Sequence, residues 1–228
     1  MTDREAVIEF IRRNRVSTTE VADALGKMGA LPGVQALTSD EHRVGTVRPV
    51  FCAYESNNAV HDQIRRVQKD EIVIVFTYEC GERAILGDLV SKYILLYRGA
   101  GALVVDGLVR DAARLRRERY PIWARGVTPV GCFNTPTEPF PVAREAEYRS
   151  RYEGGVAVCD DGGVVIIPSD QINSDILARL HEIEDQEDVW YYCLNTLKWD
   201  TKRIVCDREY LSDPQLLPKI LFEKLQKP

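Results

Sequence analysis

The chain has 228 residues and a mass of 25.9 kDa, a length that favours one large domain able to fold without metal or disulfide staples. Hydrophobic residues make up 45% and charged residues 29% of the sequence, which excludes a disordered, collagen-like or coiled-coil chain. The 35 acidic residues outnumber the 30 basic ones, so we expect no nucleic-acid partner attracted by bulk charge. The longest apolar runs, such as 72–76, are too short to cross a bilayer, and no membrane partner is expected.

The cysteine pattern and the N-terminal sequence both indicate the cellular compartment of the protein. No two of the six cysteines form a CxxC pair, whereas zinc sites use closely spaced pairs and disulfide scaffolds are short and cysteine-dense. The first ten residues carry charges where a signal peptide needs an apolar stretch. We therefore predict a cytoplasmic protein with free, mostly buried thiols. The cysteines are Cys52, Cys80, Cys132, Cys159, Cys193 and Cys206.

Strands and helices are predicted to alternate through the first 131 residues. Two helices come first, one over 3–13 and a short one within 16–29 that is capped by a hydroxyl of the Ser17-Thr18-Thr19 run. The alternation that follows indicates an α/β fold with parallel strands. The predicted strands are 44–53, 72–78, 102–109 and 121–131, and the predicted helices between them are 58–69, 89–97 and 112–120.

The second half of the chain is less regular. The prolines within 132–153 predict an extended or edge segment, and 154–168 predicts a β-hairpin that turns at 160–163. A long helix is predicted over 169–194. The remaining tail carries one more short amphipathic helix.

Charged residues follow the buried strand 102–109 directly, as Arg110 and Asp111. In α/β sheets ligands bind beyond the carboxyl ends of the strands. An arginine offers a planar fork to a carboxylate, and an aspartate offers a hard oxygen ligand to Mg²⁺. The turn Gly87-Asp88-Leu89, at a helix N-terminus, presents backbone N–H groups to the same anion. By spacing alone, however, a surface Arg–Asp pair and an ordinary glycine turn remain the favoured interpretation.

Five sequence motifs occur in the same order as in a known protein family, and the match covers about residues 15–190. This resemblance favours a functional site over a surface ion pair. Together they resemble the family of 4-hydroxy-4-methyl-2-oxoglutarate aldolases, which also contains the regulators of ribonuclease E activity (RraA). The resemblance implies an α/β fold, a three-layer β/β/α swivelling-domain-like sandwich over residues 1–188. The tail, 189–228, is then an appended helical extension that packs on the core or on a neighbouring subunit. The motifs are STTEVADALG, GDLVSKY, RGAGALVVDGLVRD, PIWARGVTPVG and GVAVCDDGGVVIIP.

The resemblance implies a metal-dependent lyase. Such enzymes are class II-type pyruvate aldolases that use Mg²⁺, Mn²⁺ or another divalent ion, act on small 2-oxo acids and decarboxylate oxaloacetate. Arg110 would hold the substrate carboxylate and the enolate, Asp111 would ligate the metal, and Asp88 would support it through water. The carboxylate would lie on the amides of Gly87, Asp88, Leu89 and Val90.

The resemblance also implies a homotrimer or a dimer of trimers. A glutamate from a neighbouring subunit's late helix would complete each site, and Glu182, Glu184 and Glu187 are the candidates. One departure from the family pattern stands out, because the segment from Leu89 to Val109 is one residue longer than usual. We place the additional residue in helix 89–97, where a bulge would shift Asp88 by up to one residue.

Other functions stay open. The ribonuclease regulators share the fold without the catalysis, but they usually lack an acidic residue at the position of Asp88, and its presence favours an enzyme. An enzyme of this fold acting on a different oxo acid is a further alternative. Lys92 would suit a metal-free Schiff-base aldolase, although an i,i+4 ion pair with Asp88 is the simpler interpretation. We expect the side chain of His61 to be exposed or hydrogen-bonded within the protein, rather than to contact a bound ligand.

Overall fold

The computed structural model of the chain describes residues 1–212 and 214–225. Its eight helices are α1 (Asp3–Asn14), α2 (Thr18–Ala24), α3 (Asn58–Gln63), α4 (Asp88–Lys92), α5 (Ala112–Arg117), α6 (Val142–Tyr152), α7 (Ser174–Asn195) and α8 (Lys219–Leu225). Its eight strands are β1 (Gln35–Ala36), β2 (Arg43–Ala53), β3 (Ile72–Tyr78), β4 (Ala84–Leu86), β5 (Ala102–Val109), β6 (Ile122–Val127), β7 (Val156–Asp160) and β8 (Gly163–Ile167).

The centre of the fold is a parallel sheet in which β3 lies between β2 and β5, and β6 pairs with β5. The long strand β2 serves two ladders, because its first part pairs antiparallel with β7 and the rest pairs parallel with β3. The hairpin β7–β8 thereby continues the hydrogen bonding beyond the parallel strands. The predicted strands 72–78 and 102–109 are confirmed, as is the hairpin within 154–168.

Alternate residues of the central strands enter two separate cores, which define the layers. On one face, Val73 and Val75 of β3 pack with Ile64, Ile94 and Leu115 from the helical side of the sheet. On the other face, the remaining apolar side chains of β3 pack against the hairpin. The arrangement is the three-layer β/β/α sandwich that the resemblance implies. The second core contains Ile72, Ile74 and Phe76 of β3 together with Ala157, Cys159, Val164 and Ile166 of β7 and β8.

Three of the five motifs also hold the fold together, through contacts that meet at Asp160. The Asp160 carboxylate, at the end of β7, accepts hydrogen bonds from the backbone N–H of Thr18 at 2.7 Å and from its hydroxyl at 2.6 Å. The backbone carbonyl of Asp160 accepts a hydrogen bond from the indole of Trp123 at 2.8 Å. These contacts fix the start of α2 and the strand β6 to the hairpin.

Helix α4 continues into a π-helical turn at Tyr93–Tyr97. A π-helical turn accommodates one additional residue within a helix. Its position matches the place where the sequence, read against the family, carries one residue more than usual between Leu89 and Val109. The bulge therefore lies after α4, and the helix still begins at Asp88.

The prediction of an extended segment over 132–153 is wrong for its second half, which forms α6. Pro141 precedes the helix. Proline is well tolerated at a helix start, because the backbone N–H that it lacks has no hydrogen-bond partner within the helix there. Arg149 pairs with Glu145 at 2.9 Å and Glu153 at 3.3 Å along one helix face. Tyr148 stacks on the ring of Phe76 with 4.6 Å between centroids, so tertiary packing also favours the helix. The two shortest strands, β1 and β4, were not predicted at all.

The chain divides into two compact units, Met1–Ser174 and Asp175–Pro228. The second contains α7, α8 and short helical turns, and it has its own apolar core, against which Trp190, Tyr192 and Trp199 are partly buried. The predicted domain boundary at 188/189 lies inside α7, and that domain division stays a prediction. Over the residues described, we find no helix with both the length and the apolar character that crossing a membrane requires. The core residues of the second unit are Val189, Cys193, Ile204, Tyr210 and Leu217.

Candidate active site

The two motifs expected to form a site meet at the carboxyl edge of the parallel sheet. The short strand β4 pairs in parallel with the end of β5, with Leu86 opposite Val109. The backbone N–H of Arg110 donates to the carbonyl of Leu86 at 3.0 Å. Gly87 and Arg110 therefore leave the sheet side by side. The strand that produces this juxtaposition, β4, is one of the two that the sequence did not reveal, because three residues are too few to show a period.

Asp111 begins α5 in a left-handed conformation, with φ of 60° and ψ of 27°. Aspartate is one of the few residues that tolerate this region well. Its Oδ2 accepts a hydrogen bond from the backbone N–H of Asp88 at 3.0 Å and lies 3.9 Å from Nε of Arg110. The side chain nevertheless remains 46% exposed, so its carboxylate is accessible to a ligand.

Two glycines give Arg110 and Asp111 the space they occupy. A Cβ on Gly87 would lie 2.2 Å from Oδ2 of Asp111 and 2.7 Å from Cγ of Arg110. A Cβ on Gly131 would lie 2.5 Å from Nη1 of Arg110. Glycine at these positions is thus required by close approach and not by backbone angle, since φ of Gly87 is −142°.

The variant Gly87→Ala is expected to displace both side chains and to destabilise the protein by about 1–3 kcal/mol, as overpacking of a filled site typically does. Thermal unfolding measures the cost, and a crystal structure shows the displacement. Gly126→Ala is the matched control, because the contact its Cβ would make closer than 4 Å is with the flexible end of Leu108, at 3.2 Å. Equal melting temperatures for the two variants would contradict the assignment of Gly87 as a spacer for the site.

The carboxylate of Asp88 pairs with an arginine that the sequence did not assign to the site. Its Oδ2 lies 3.1 Å from Nε of Arg114, on α5. The ion pair expected with Lys92 is therefore wrong, because the carboxylate turns toward α5, whereas Lys92 lines a neighbouring groove with Tyr93 and Tyr97. The Asp88 side chain is only 15% exposed, and its Oδ1 is buried without a hydrogen-bond partner among the described residues.

Of the predicted site residues, Gly87, Leu89, Val90, Arg110 and Asp111 line a cleft of about 170 Å³, whereas Asp88 is not among its lining residues. Other parts of the chain complete its wall. Asn57, His61, Cys132 and Asn134 all line it. The Asn57 amide donates to the carbonyl of Ile85 at 2.8 Å, which anchors the loop after β2 to β4. Sequence reasoning missed both asparagines and Cys132; the one available signal was their place in loops after parallel strands. His61 is exposed, as expected, although it borders the cleft.

The predicted anion-binding amides lie at the start of α4, next to Asp111. Leu89 and Val90 line the cleft with Gly87, and the Leu89 side chain is 81% exposed. The candidate glutamates of the late helix, Glu182, Glu184 and Glu187, lie on α7 in the second compact unit. Their contribution to a neighbouring site stays a proposal.

The residues at the cleft fit the divalent ion that the resemblance implies. Mg²⁺ binds hard oxygen ligands and is typically held by one or two carboxylates together with waters and the substrate. Asp111 supplies an accessible carboxylate at the edge of the cleft. The buried Oδ1 of Asp88 supplies an acceptor that no described protein group uses. The donor set is therefore all oxygen, as Mg²⁺ or Mn²⁺ requires.

Comparison with known proteins gives the family. The RraA-like (Aldolase/RraA) family model matches residues 18–166, more than half of the chain, and the chain belongs to this family. Among curated relatives, a Shewanella oneidensis protein named "Putative 4-hydroxy-4-methyl-2-oxoglutarate aldolase" is 31% identical over 101 residues, which cover 41% of this chain and 60% of that protein. Protein DlpA of Legionella pneumophila is 24% identical over 186 residues, covering 76% of this chain and 30% of DlpA.

A solved structure supports the same relationship. Streptomyces coelicolor RraAS2, described as an unusual member of the RNase ES inhibitor RraA protein family, superposes with a TM-score of 0.64. It is 26% identical, and the match covers 79% of this chain and 95% of RraAS2. The chain spans less than two thirds of the length of both curated relatives. Family membership thus gives two candidate functions, aldolase and ribonuclease regulator.

Proposed function

We propose that this protein is a divalent-metal-dependent lyase that cleaves 4-hydroxy-4-methyl-2-oxoglutarate-like 2-oxo acids to pyruvate and decarboxylates oxaloacetate. The observation that carries the proposal is the convergence of Arg110, Asp111 and the start of α4 on one cleft, with Gly87 making room for both side chains. Aldol cleavage and β-decarboxylation of such acids both leave the enolate of pyruvate. A single site that stabilises this negative charge therefore serves both reactions.

Arg110 is the residue that this proposal places on the substrate. Its guanidinium forms part of the cleft wall, and the side chain is 51% exposed, so it is accessible to an incoming acid. The planar fork donates two parallel hydrogen bonds to a carboxylate. As the reaction proceeds, the same donor meets the charge that develops on the enolate oxygen. The neighbouring backbone N–H groups of Gly87, Leu89 and Val90 would orient the carboxylate further, whereas that of Asp88 already donates to Asp111.

The carboxylates have separate roles in the proposal. When bound, the divalent ion acts as a Lewis acid that polarises the carbonyl of the 2-oxo acid. Asp111 would hold that ion from the edge of the cleft. Asp88, fixed through its other oxygen by Arg114, would accept a hydrogen bond from water at its Oδ1. The Asp88–Arg114 contact would hold the carboxylate in place beside the cleft.

Release of pyruvate tests the proposal most directly. We expect the protein to release pyruvate from oxaloacetate and from 4-hydroxy-4-methyl-2-oxoglutarate with added Mg²⁺ or Mn²⁺, and to lose this activity in excess chelator. 4-Carboxy-4-hydroxy-2-oxoadipate serves as a third substrate, because it probes tolerance for a larger acid. Full activity in excess chelator would overturn the metal mechanism and favour a metal-free Schiff-base aldolase that uses Lys92.

A regulatory binding protein is the second candidate, since a solved relative is described as belonging to a ribonuclease inhibitor family. The presence of Asp88 favours the lyase. A protein that releases no pyruvate from any of the three acids, with any divalent ion, would favour the regulator. We also propose a homotrimer or dimer of trimers, because the open cleft is then completed by a neighbouring subunit, and light scattering tests this assembly.

A further inference from the structure

Three cysteines that are far apart in the sequence come together in the fold. Cys52 lies near the end of β2, Cys80 follows β3, and Cys132 follows β6. The three sulfur atoms lie within 4.8 Å of one another, and those of Cys52 and Cys80 are 3.8 Å apart. This proximity was not expected from the sequence, which contains no closely spaced cysteine pair. We call this group the thiol cluster.

We propose that the thiol cluster is a binding site for a thiophilic d¹⁰ metal ion, Zn²⁺ or Cu⁺, distinct from the oxygen site at Asp111. A zinc ion with Zn–S bonds of about 2.3 Å holds its thiolates about 3.8 Å apart in a tetrahedron. The separation of Cys52 and Cys80 already has this value. Three thiolates leave the fourth position of a tetrahedral ion open, and they satisfy a trigonal ion completely.

A cationic side chain lies next to the thiol cluster. The Arg83 guanidinium donates to the carbonyl of Gly131 at 3.1 Å and lies 4.3 Å from the ring centre of Phe133. This guanidinium, which also pairs with Glu55 at 2.9 Å, is therefore held against the residues on both sides of Cys132.

The two metal sites differ in chemistry, although Cys132 also lines the cleft that contains Asp111. Sulfur ligands select soft ions, whereas the carboxylate of Asp111 suits Mg²⁺ or Mn²⁺. A metal on the thiol cluster would tie together the end of β2 and the loops that follow β3 and β6. Its binding should therefore stabilise the protein. This inference does not depend on the proposed lyase activity.

Titration of the reduced full-length protein with Cd²⁺ tests the site, because Cd²⁺ bound to thiolate gives a charge-transfer band in the ultraviolet. We expect the band to saturate at one ion per chain, with release of protons and a rise in Tm. Zn²⁺ and Cu⁺ are then added separately, and loss of the band shows which ion competes. The variant Cys132→Ser should weaken Cd²⁺ binding at least tenfold, whereas the exposed Cys206→Ser should bind like the wild type.

Alkylation of the wild-type protein gives a readout that does not rely on a folded variant. Bound Cd²⁺ should protect Cys52, Cys80 and Cys132 from a thiol reagent and leave Cys206 reactive, as peptide mass mapping would show. The proposal is overturned if the reduced protein gives no saturable band or if Cys206→Ser, rather than Cys132→Ser, removes it. Formation of a Cys52–Cys80 disulfide in air, with no metal bound after reduction, would also overturn it.

Discussion

Replacement of Arg110 by alanine is expected to lower kcat/KM for oxaloacetate decarboxylation about 10²–10³-fold, which corresponds to roughly 3–4 kcal/mol of transition-state stabilisation. The loss is large because the guanidinium is proposed to meet both the ground-state carboxylate and the growing enolate charge. The melting temperature should hardly change, since the Arg110 side chain is half exposed and its ion pair with Asp111 is long, at 3.9 Å. Steady-state kinetics and thermal unfolding of the same preparation separate the two effects.

The variant Arg110→Lys sharpens this prediction. A point ammonium does not reproduce the bidentate fork, so lysine should recover little of the lost rate. Arg116→Ala is the matched control, because Arg116 is an exposed arginine on α5 that does not line the cleft. If Arg110→Ala decarboxylates oxaloacetate as fast as the wild type, the active site lies elsewhere. If lysine restores full activity, charge alone suffices and the fork has no role.

Replacement of Asp111 by alanine is expected to abolish the Mg²⁺-stimulated release of pyruvate, because Asp111 supplies the accessible carboxylate at the edge of the cleft. The effect on stability should be modest. The side chain gives up one hydrogen bond, from the N–H of Asp88 at 3.0 Å, and a buried-group penalty does not arise at 46% exposure. Pyruvate release measured across a range of Mg²⁺ concentrations is the assay.

Two further variants interpret the result for Asp111. Asp111→Asn keeps the size and the acceptor for Asp88 but removes the charge, so it should bind Mg²⁺ weakly and remain nearly inactive. Asp161→Asn, in the hairpin turn outside the cleft, is the control for the loss of one surface carboxylate. An Asp111→Asn enzyme with the metal response of the wild type would show that the ion binds another group. A fully active Asp111→Ala protein would refute the proposed role of the residue.

Much of the architecture was predictable because it depends on short-range patterns. The mostly apolar runs at β3 and β5 predict buried parallel strands with the bounds that are observed. The hydroxyl-rich start of α2 is capped by Ser17, which accepts a hydrogen bond from the backbone of Glu20. The same kind of reasoning predicts a site at Arg110 and Asp111, because they follow β5 directly and ligands bind at the carboxyl ends of strands in an α/β sheet. Hydrophobic period and capping chemistry are local properties, and a single sequence displays them.

What remained hidden depends on contacts between distant segments. The sequence does not show that β4 pairs with β5 and brings Gly87 to Asp111, or that Arg114, rather than Lys92, holds Asp88. Helix α6 forms where prolines suggested an extended chain, because its tyrosines gain packing against Phe76.

The thiol cluster shows most clearly the difference between what local sequence patterns predict and what contacts between distant segments decide. The spacing of Cys52, Cys80 and Cys132 along the chain resembles no metal site, yet each follows or ends a parallel strand of one sheet. By itself the sequence determined the strands, the caps and the charged strand end, because these depend on neighbouring residues. Only the tertiary structure decided which side chains share a site, because the carboxyl ends of parallel strands bring together residues that the chain separates by dozens of positions.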